Sequence, residues 1–115
     1  MAWQELNPYL AGGVQPISDT LTVISTIAEG KNMYGTVFIA NTSSTQDELV
    51  RLALRPEGSS VVTDDQYILY DTAIPPNYIM QLGNIGLNSN ESLIGYSANG
   101  FAVFNLTGDG IKNYG

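Results

Sequence analysis

Apolar and polar residues alternate with a period near two along most of this chain, and turn residues interrupt the alternation about every ten positions. Residues 20–27 are rich in β-branched side chains and predict a strand with Leu21, Val23 and Ile27 on one face. Glu29, Gly30, Lys31 and Asn32 supply a turn. In residues 33–41, Tyr34 and Phe38 alternate with Val37 and Ile39, which predicts a strand buried on both faces. A polar loop over 42–47 leads into residues 48–56. There Val50, Leu52 and Leu54 oppose Leu49, Arg51, Ala53 and Arg55, the pattern of a half-exposed strand. The leucines also fit helical spacing, but Pro56 and the flanking loops favour the strand.

Val61 and Val62 form a short apolar island between turn-rich segments. Residues 66–71 predict a further strand, with Tyr67 and Leu69 opposite Ile68 and Tyr70. Pro75, Pro76 and Asn77 break the chain before a strand at 78–82, and residues 84–91 read as loop with a short strand around Ile85 and Leu87. Residues 92–98 and 101–107 flank Asn99-Gly100, a strong two-residue hairpin signal. That hairpin would pair Ala98 with Phe101, Tyr96 with Val103 and Gly95 with Phe104, the glycine leaving room for the ring.

The first nineteen residues follow a different pattern. Pro8, Pro16 and Gly12-Gly13 interrupt any periodicity, so neither a helix nor a long strand is predicted there. The segment reads as an extended arm carrying Trp3, Leu6, Tyr9 and Leu10 as large apolar anchors. The organisation expected is an arm over 1–19 and a β domain over 20–115. Seven or eight short strands predict an all-β fold, a small antiparallel β-sandwich of jelly-roll-like type.

Composition narrows the chemistry. A chain of 115 residues fills one ordinary core, and its 43% hydrophobic content with seven Tyr and three Phe argues for a folded globule. Four basic residues face eleven acids, for a net charge of −7. Nucleic-acid binding needs clustered Lys and Arg to displace counterions, and anionic membranes need the same, so neither partner is expected. No apolar run approaches the roughly 20 residues of a membrane helix, and the first residues lack the basic start and apolar core of a signal peptide. The chain holds no Cys and no His, which removes thiol nucleophiles, zinc-thiolate sites and the commonest general base. Carboxylates alone remain for catalysis. No enzymatic activity and no cofactor is expected.

Several residues are candidates for a site. Asp64, Asp65, Asp71 and Asp109 could offer oxygen ligands to calcium, but their Gly- and Asp-rich surroundings fit ordinary turns. Glu57 with Asp71 is the conceivable hydrolytic pair, which would need facing carboxylates roughly 5–9.5 Å apart. Arg51 and Arg55 share a strand face and suit either an acidic ligand or pairing with the chain's own acids, with an oligomer interface the favoured place. Tyr67, Tyr70, Tyr78 and Tyr96 suit cross-strand packing or a sugar-stacking platform. Trp3 and Tyr9 lie outside any core of the arm, and either dock on a partner or fold back over the domain. Asn41-Thr42-Ser43, Asn90-Glu91-Ser92 and Asn105-Leu106-Thr107 match the glycosylation triplet, a match that chance supplies readily in a chain this rich in Asn, Ser and Thr.

A resemblance covers most of the chain, roughly residues 20–111. Ile27-Ala28-Glu29-Gly30-Lys31, the strand closing in Asn41-Thr42-Ser43, and Arg51-Leu52-Ala53-Leu54-Arg55-Pro56 carry it, with Tyr67-Ile68-Leu69-Tyr70-Asp71 and Phe101-Ala102-Val103-Phe104-Asn105-Leu106-Thr107-Gly108. Together they resemble a recurrent β-sandwich module of tailed-bacteriophage virion proteins. Many members carry a proline in the turn where Ala28-Glu29 stand here. The resemblance implies a head decoration (cement) protein, often a homotrimer, bound to the major capsid protein at the capsid surface. On this reading Trp3, Leu6, Tyr9 and Leu10 dock on the lattice, and Arg51 and Arg55 lie in the oligomer interface. The competing reading is a receptor- or carbohydrate-binding module of a tail fibre or baseplate, using the 84–91 loop and exposed tyrosines.

Overall fold

The structure, a computed structural model, describes the backbone of residues 3–114 and the side chains of residues 13–108. Eight strands run in chain order: β1 (Trp3–Val14), β2 (Thr22–Thr26), β3 (Lys31–Asn41), β4 (Glu48–Arg55), β5 (Tyr67–Ile74), β6 (Ile79–Leu87), β7 (Ser92–Ser97) and β8 (Ala102–Tyr114). One 3-10 turn (Asp64–Gln66) precedes β5. The strands form two four-stranded antiparallel sheets, ordered β1-β8-β3-β6 and β2-β7-β4-β5. Strand 1 thus pairs with 8, 2 with 7, 3 with 6 and 4 with 5, as in a long hairpin rolled up on itself. This is the jelly-roll order, and the expected all-β sandwich stands.

Alternation explains the core. Met33, Val37 and Ile39 of β3, Val50 and Leu52 of β4, Leu93 of β7 and Phe104 and Leu106 of β8 turn inward and are buried. Ile24, Ile27, Ile74, Ile85 and Leu87 complete the cluster. Arg51 and Arg55 lie on the outer face of β4, as the alternation predicts. Two facial assignments change. A bulge between Val23 and Ser25 in the β2–β7 ladder turns Ile24 inward and leaves Leu21 and Val23 exposed. On β3 one face is buried, while Tyr34 on the other is exposed and Phe38 half-buried.

Two elements differ in kind from the expectation. The Asn99-Gly100 turn exists, with Gly100 at φ 78°. It does not close a hairpin, because β7 pairs with β2 and β4 while β8 pairs with β1 and β3. It carries the chain from one sheet to the other. Glu48 is the physical reason: its fully buried carboxylate accepts from the backbone N–H groups of Asn99 (3.0 Å) and Phe101 (2.8 Å), and Ser97 Oγ accepts from Ala102 N–H (3.0 Å). Donors that a hairpin would turn toward its own partner strand are occupied instead by the Glu48 carboxylate of β4 and the Ser97 hydroxyl.

The second difference lies at the start. Instead of an arm without a long strand, residues 3–14 form β1, paired along β8 from Trp3↔Tyr114 to Val14↔Phe104. β1 is an edge strand, where a proline such as Pro8 is tolerated, and the register shifts between Ala11 and Val14, around Gly12-Gly13. The side chains of Trp3, Leu6, Tyr9 and Leu10 lie outside the described residues. The short strand read around Ile85 and Leu87 is the end of β6, continuous with residues 79–83, and the turn itself is confined to 88–91.

Candidate functional site

The outer face of the β2-β7-β4-β5 sheet gathers most of the candidate side chains. Two register shifts between Val50 and Ala53 mark a bulged β5, in which Asp71 adopts φ 44°. Asp tolerates this left-handed conformation better than most residues, and the bulge brings Tyr70 and Asp71 beside Arg51. Arg51 Nε donates to Asp71 Oδ1 at 2.6 Å and Nη2 to Oδ2 at 3.3 Å. The guanidinium lies 4.2 Å from the Tyr70 ring centre and 4.4 Å from that of Tyr96. Hydrogen bonding to Asp71 holds Arg51 protonated even more firmly than usual. Tyr96 in turn donates its hydroxyl to Asp19, which with burial raises the Tyr96 pKa above its ordinary value. One cation therefore sits between two rings, with an acid at either end.

Two depressions flank this ridge. An open cleft of about 440 Å³ is bordered by Asp64, Tyr67 and Tyr70, and the two rings meet edge to face at 5.0 Å and 84°. On the other side, a groove of about 260 Å³ is lined by Leu21, Val23, Arg55 and Ile94 with Ser60, Val61 and Val62 of the β4–β5 connection. So the two arginines share a face but differ in their contacts: Arg51 is paired with Asp71, and Arg55 has no ion-pair partner among the described residues.

Comparison with known proteins bears on the fold. No protein-family model and no curated protein matches the chain. A viral particle does. A chain of the crystal structure of the T13 IBDV viral particle superposes with a TM-score of 0.60 at 7% identity, covering 94% of this chain. The match spans 30% of that longer chain, and at this identity it is a likeness of fold.

The acidic candidates are dispersed. Asp64 and Asp65 lie in the 3-10 turn, where Thr63 donates its hydroxyl to Asp65 and Gln66 Oε1 accepts from Thr63 N–H, a local capping box. Asp71 is engaged by Arg51, and the Asp109 side chain lies outside the described residues. Among the described residues no three acids gather as a metal site. Glu57 accepts from Asn90 Nδ2 at 3.1 Å at the far end of β4. Roughly 13 Å of strand separates that end from Arg51, which stands beside Asp71, so the two carboxylates do not face each other.

Two polar residues, Glu48, which the sequence did not single out, and Asn41, which it offered only as part of a glycosylation triplet, hold this end of the sandwich. Glu48 also accepts from Ser97 Oγ (2.6 Å) and Asn99 Nδ2 (3.1 Å). Its signal was present: Glu48 occupies the inward register of Val50 and Leu52, where a lone charge must find partners. Asn41, 3% exposed, donates Nδ2 to the carbonyls of Gln46 and Ile74 and accepts from Ser43 N–H, so the first glycosylation triplet is a buried structural clasp.

Proposed function

We propose that this protein is a structural component of a virion, a decoration (cement) protein that binds the head lattice of a tailed bacteriophage as a homotrimer. The observation that carries the reading is the β-sandwich fold, which superposes along 94% of the chain on a chain of a viral particle. The resemblance of residues 20–111 to tailed-phage virion modules gives it its finer form. A chain without His or Cys has little to offer catalysis and much to offer as a rigid block, and a net charge of −7 discourages adhesion to packaged DNA.

The major capsid protein is the partner on this reading, and β1 is the docking element. As an edge strand, β1 offers unpaired backbone groups along its open side, so a lattice strand can add to the sheet there, with Trp3, Leu6, Tyr9 and Leu10 as anchors. The groove beside Arg55 suits the trimer contact, where a neighbouring copy supplies one of its many carboxylates. Function in this role calls for no cofactor, nucleic acid or membrane.

The test is to incubate the purified chain with undecorated capsids of the virus that encodes it, and to locate it by cryo-electron microscopy. Occupancy at regular lattice sites, lost on Trp3→Ser with Tyr9→Ser, supports the proposal. Capsids that stay bare, or density at the tail tip of the intact virion, would overturn it in favour of a receptor-binding module.

A further inference from the structure

The cleft beside Asp64, Tyr67 and Tyr70 has no part in the assembly reading, yet it is built like a binding site. Its volume, about 440 Å³, falls in the range of small-molecule sites. Tyr70 is 56% exposed, but its ring is held by the Arg51 guanidinium at 4.2 Å and by the edge contact with Tyr67 at 5.0 Å. Arg51 is itself anchored on Asp71. An exposed ring that is already held loses little freedom when a ligand stacks on it. Asp64 is exposed, and among the described residues its carboxylate has no hydrogen-bond partner, so it stands at the rim as a free acceptor.

Chemistry then selects the ligand. The Arg51 guanidinium already engages the Tyr70 ring, so a second cation would compete with it there. An anion would meet Asp64 and a chain of net charge −7. A purely apolar group would cover the carboxylate without satisfying it. What remains is a neutral molecule with an apolar C–H face for the rings and hydroxyl donors for Asp64. We infer that the Asp64–Tyr67–Tyr70 cleft binds a neutral hexose unit of a glycan. The site is independent of where on a virion the chain sits, and its failure would leave the assembly proposal standing.

Saturation-transfer NMR on the full chain tests it, with cellotriose, maltotriose and mannotriose as neutral probes and trigalacturonate and choline as charged ones. Saturation transfer to at least one neutral trisaccharide at millimolar concentration is expected, and none to the charged probes. Tyr70→Ala should raise Kd by about tenfold or more, Asp64→Asn should weaken binding, and Tyr70→Phe should retain it. Tyr78→Ala, which removes an exposed tyrosine outside the cleft, should change nothing. No transfer to any neutral probe, or transfer that survives both Tyr70→Ala and Asp64→Asn, would overturn the inference. Asp64→Asn sits in an exposed turn, so its result stands even if Tyr70→Ala misfolds.

Discussion

Gly95 and Phe104 meet across the sandwich rather than across a hairpin: a Cβ on Gly95 would stand 3.2 Å from Phe104 Cε1 and 2.8 Å from Ile24 Cδ1. The void of the glycine is filled from the opposite sheet and from β2. Gly95→Ala should therefore overpack the core and cost about 1–3 kcal/mol in urea denaturation. The crowding atoms are side-chain ends, so Ile24→Val in the same chain should recover part of the loss. Gly35→Ala offers a contrast. There the added carbon would stand 2.7 Å from Gly108 Cα and press on the Thr107 carbonyl, and backbone cannot step aside. Its loss should exceed that of Gly95→Ala, with no recovery from Ile24→Val.

Glu48 links β4 to the β7–β8 crossing with five donor contacts to Ser97, Asn99 and Phe101. Glu48→Ala strands those donors in a buried site, and a loss of about 3 kcal/mol or more in urea denaturation is expected. Glu48→Gln keeps the shape but turns an NH2 group toward donors, and should fall between the two.

Tyr96 provides a signature at high pH. Its phenol donates to Asp19, and its pKa lies above the ordinary 10.0. The protonated phenol is the form the fold favours, so its contribution is complete below pH ~10 and is lost as pH rises through the folded-state value. Titration of tyrosinate absorbance should show a late-ionising group, and Tyr96→Phe should remove it.

From the sequence alone, residues 1–19 look dispensable for folding. The place of β1 changes that expectation, because deleting it leaves one whole side of β8 unpaired. The truncated chain should self-associate, seen as a concentration-dependent rise in mass by light scattering, while the full chain keeps a fixed mass.

Alternation made β4 legible residue by residue, including the shared face of Arg51 and Arg55, because a strand buried on one side writes its period into the sequence. The sheet partners were another matter. Asn99-Gly100 announces a reversal of direction, and nothing local tells a hairpin from a crossing between sheets; that choice is made by Glu48, some fifty positions upstream. Separation along the chain also hid the cluster on the outer face. Tyr96 gave no sign of Asp19, and the bulge that swings Asp71 under Arg51 depends on a register set between β4 and β5. At β1 the prolines and glycines that argue against an interior strand are compatible with an edge.

The rolled strand order also governs how the chain reaches its fold. Only β4 and β5 are consecutive in sequence and paired; every other ladder joins segments far apart, and β1 with β8 joins the two extremes. Loop closure is least costly for the β4–β5 pair and grows with each outer pair, so strand pairing is expected to spread outward from it, with the β1–β8 ladder closing last. Topology this non-local belongs to domains that fold on the millisecond-to-second scale. Single-exponential refolding in that range, slowed most by substitutions in β4 and β5, would locate the nucleus at the one pairing the chain can find without searching.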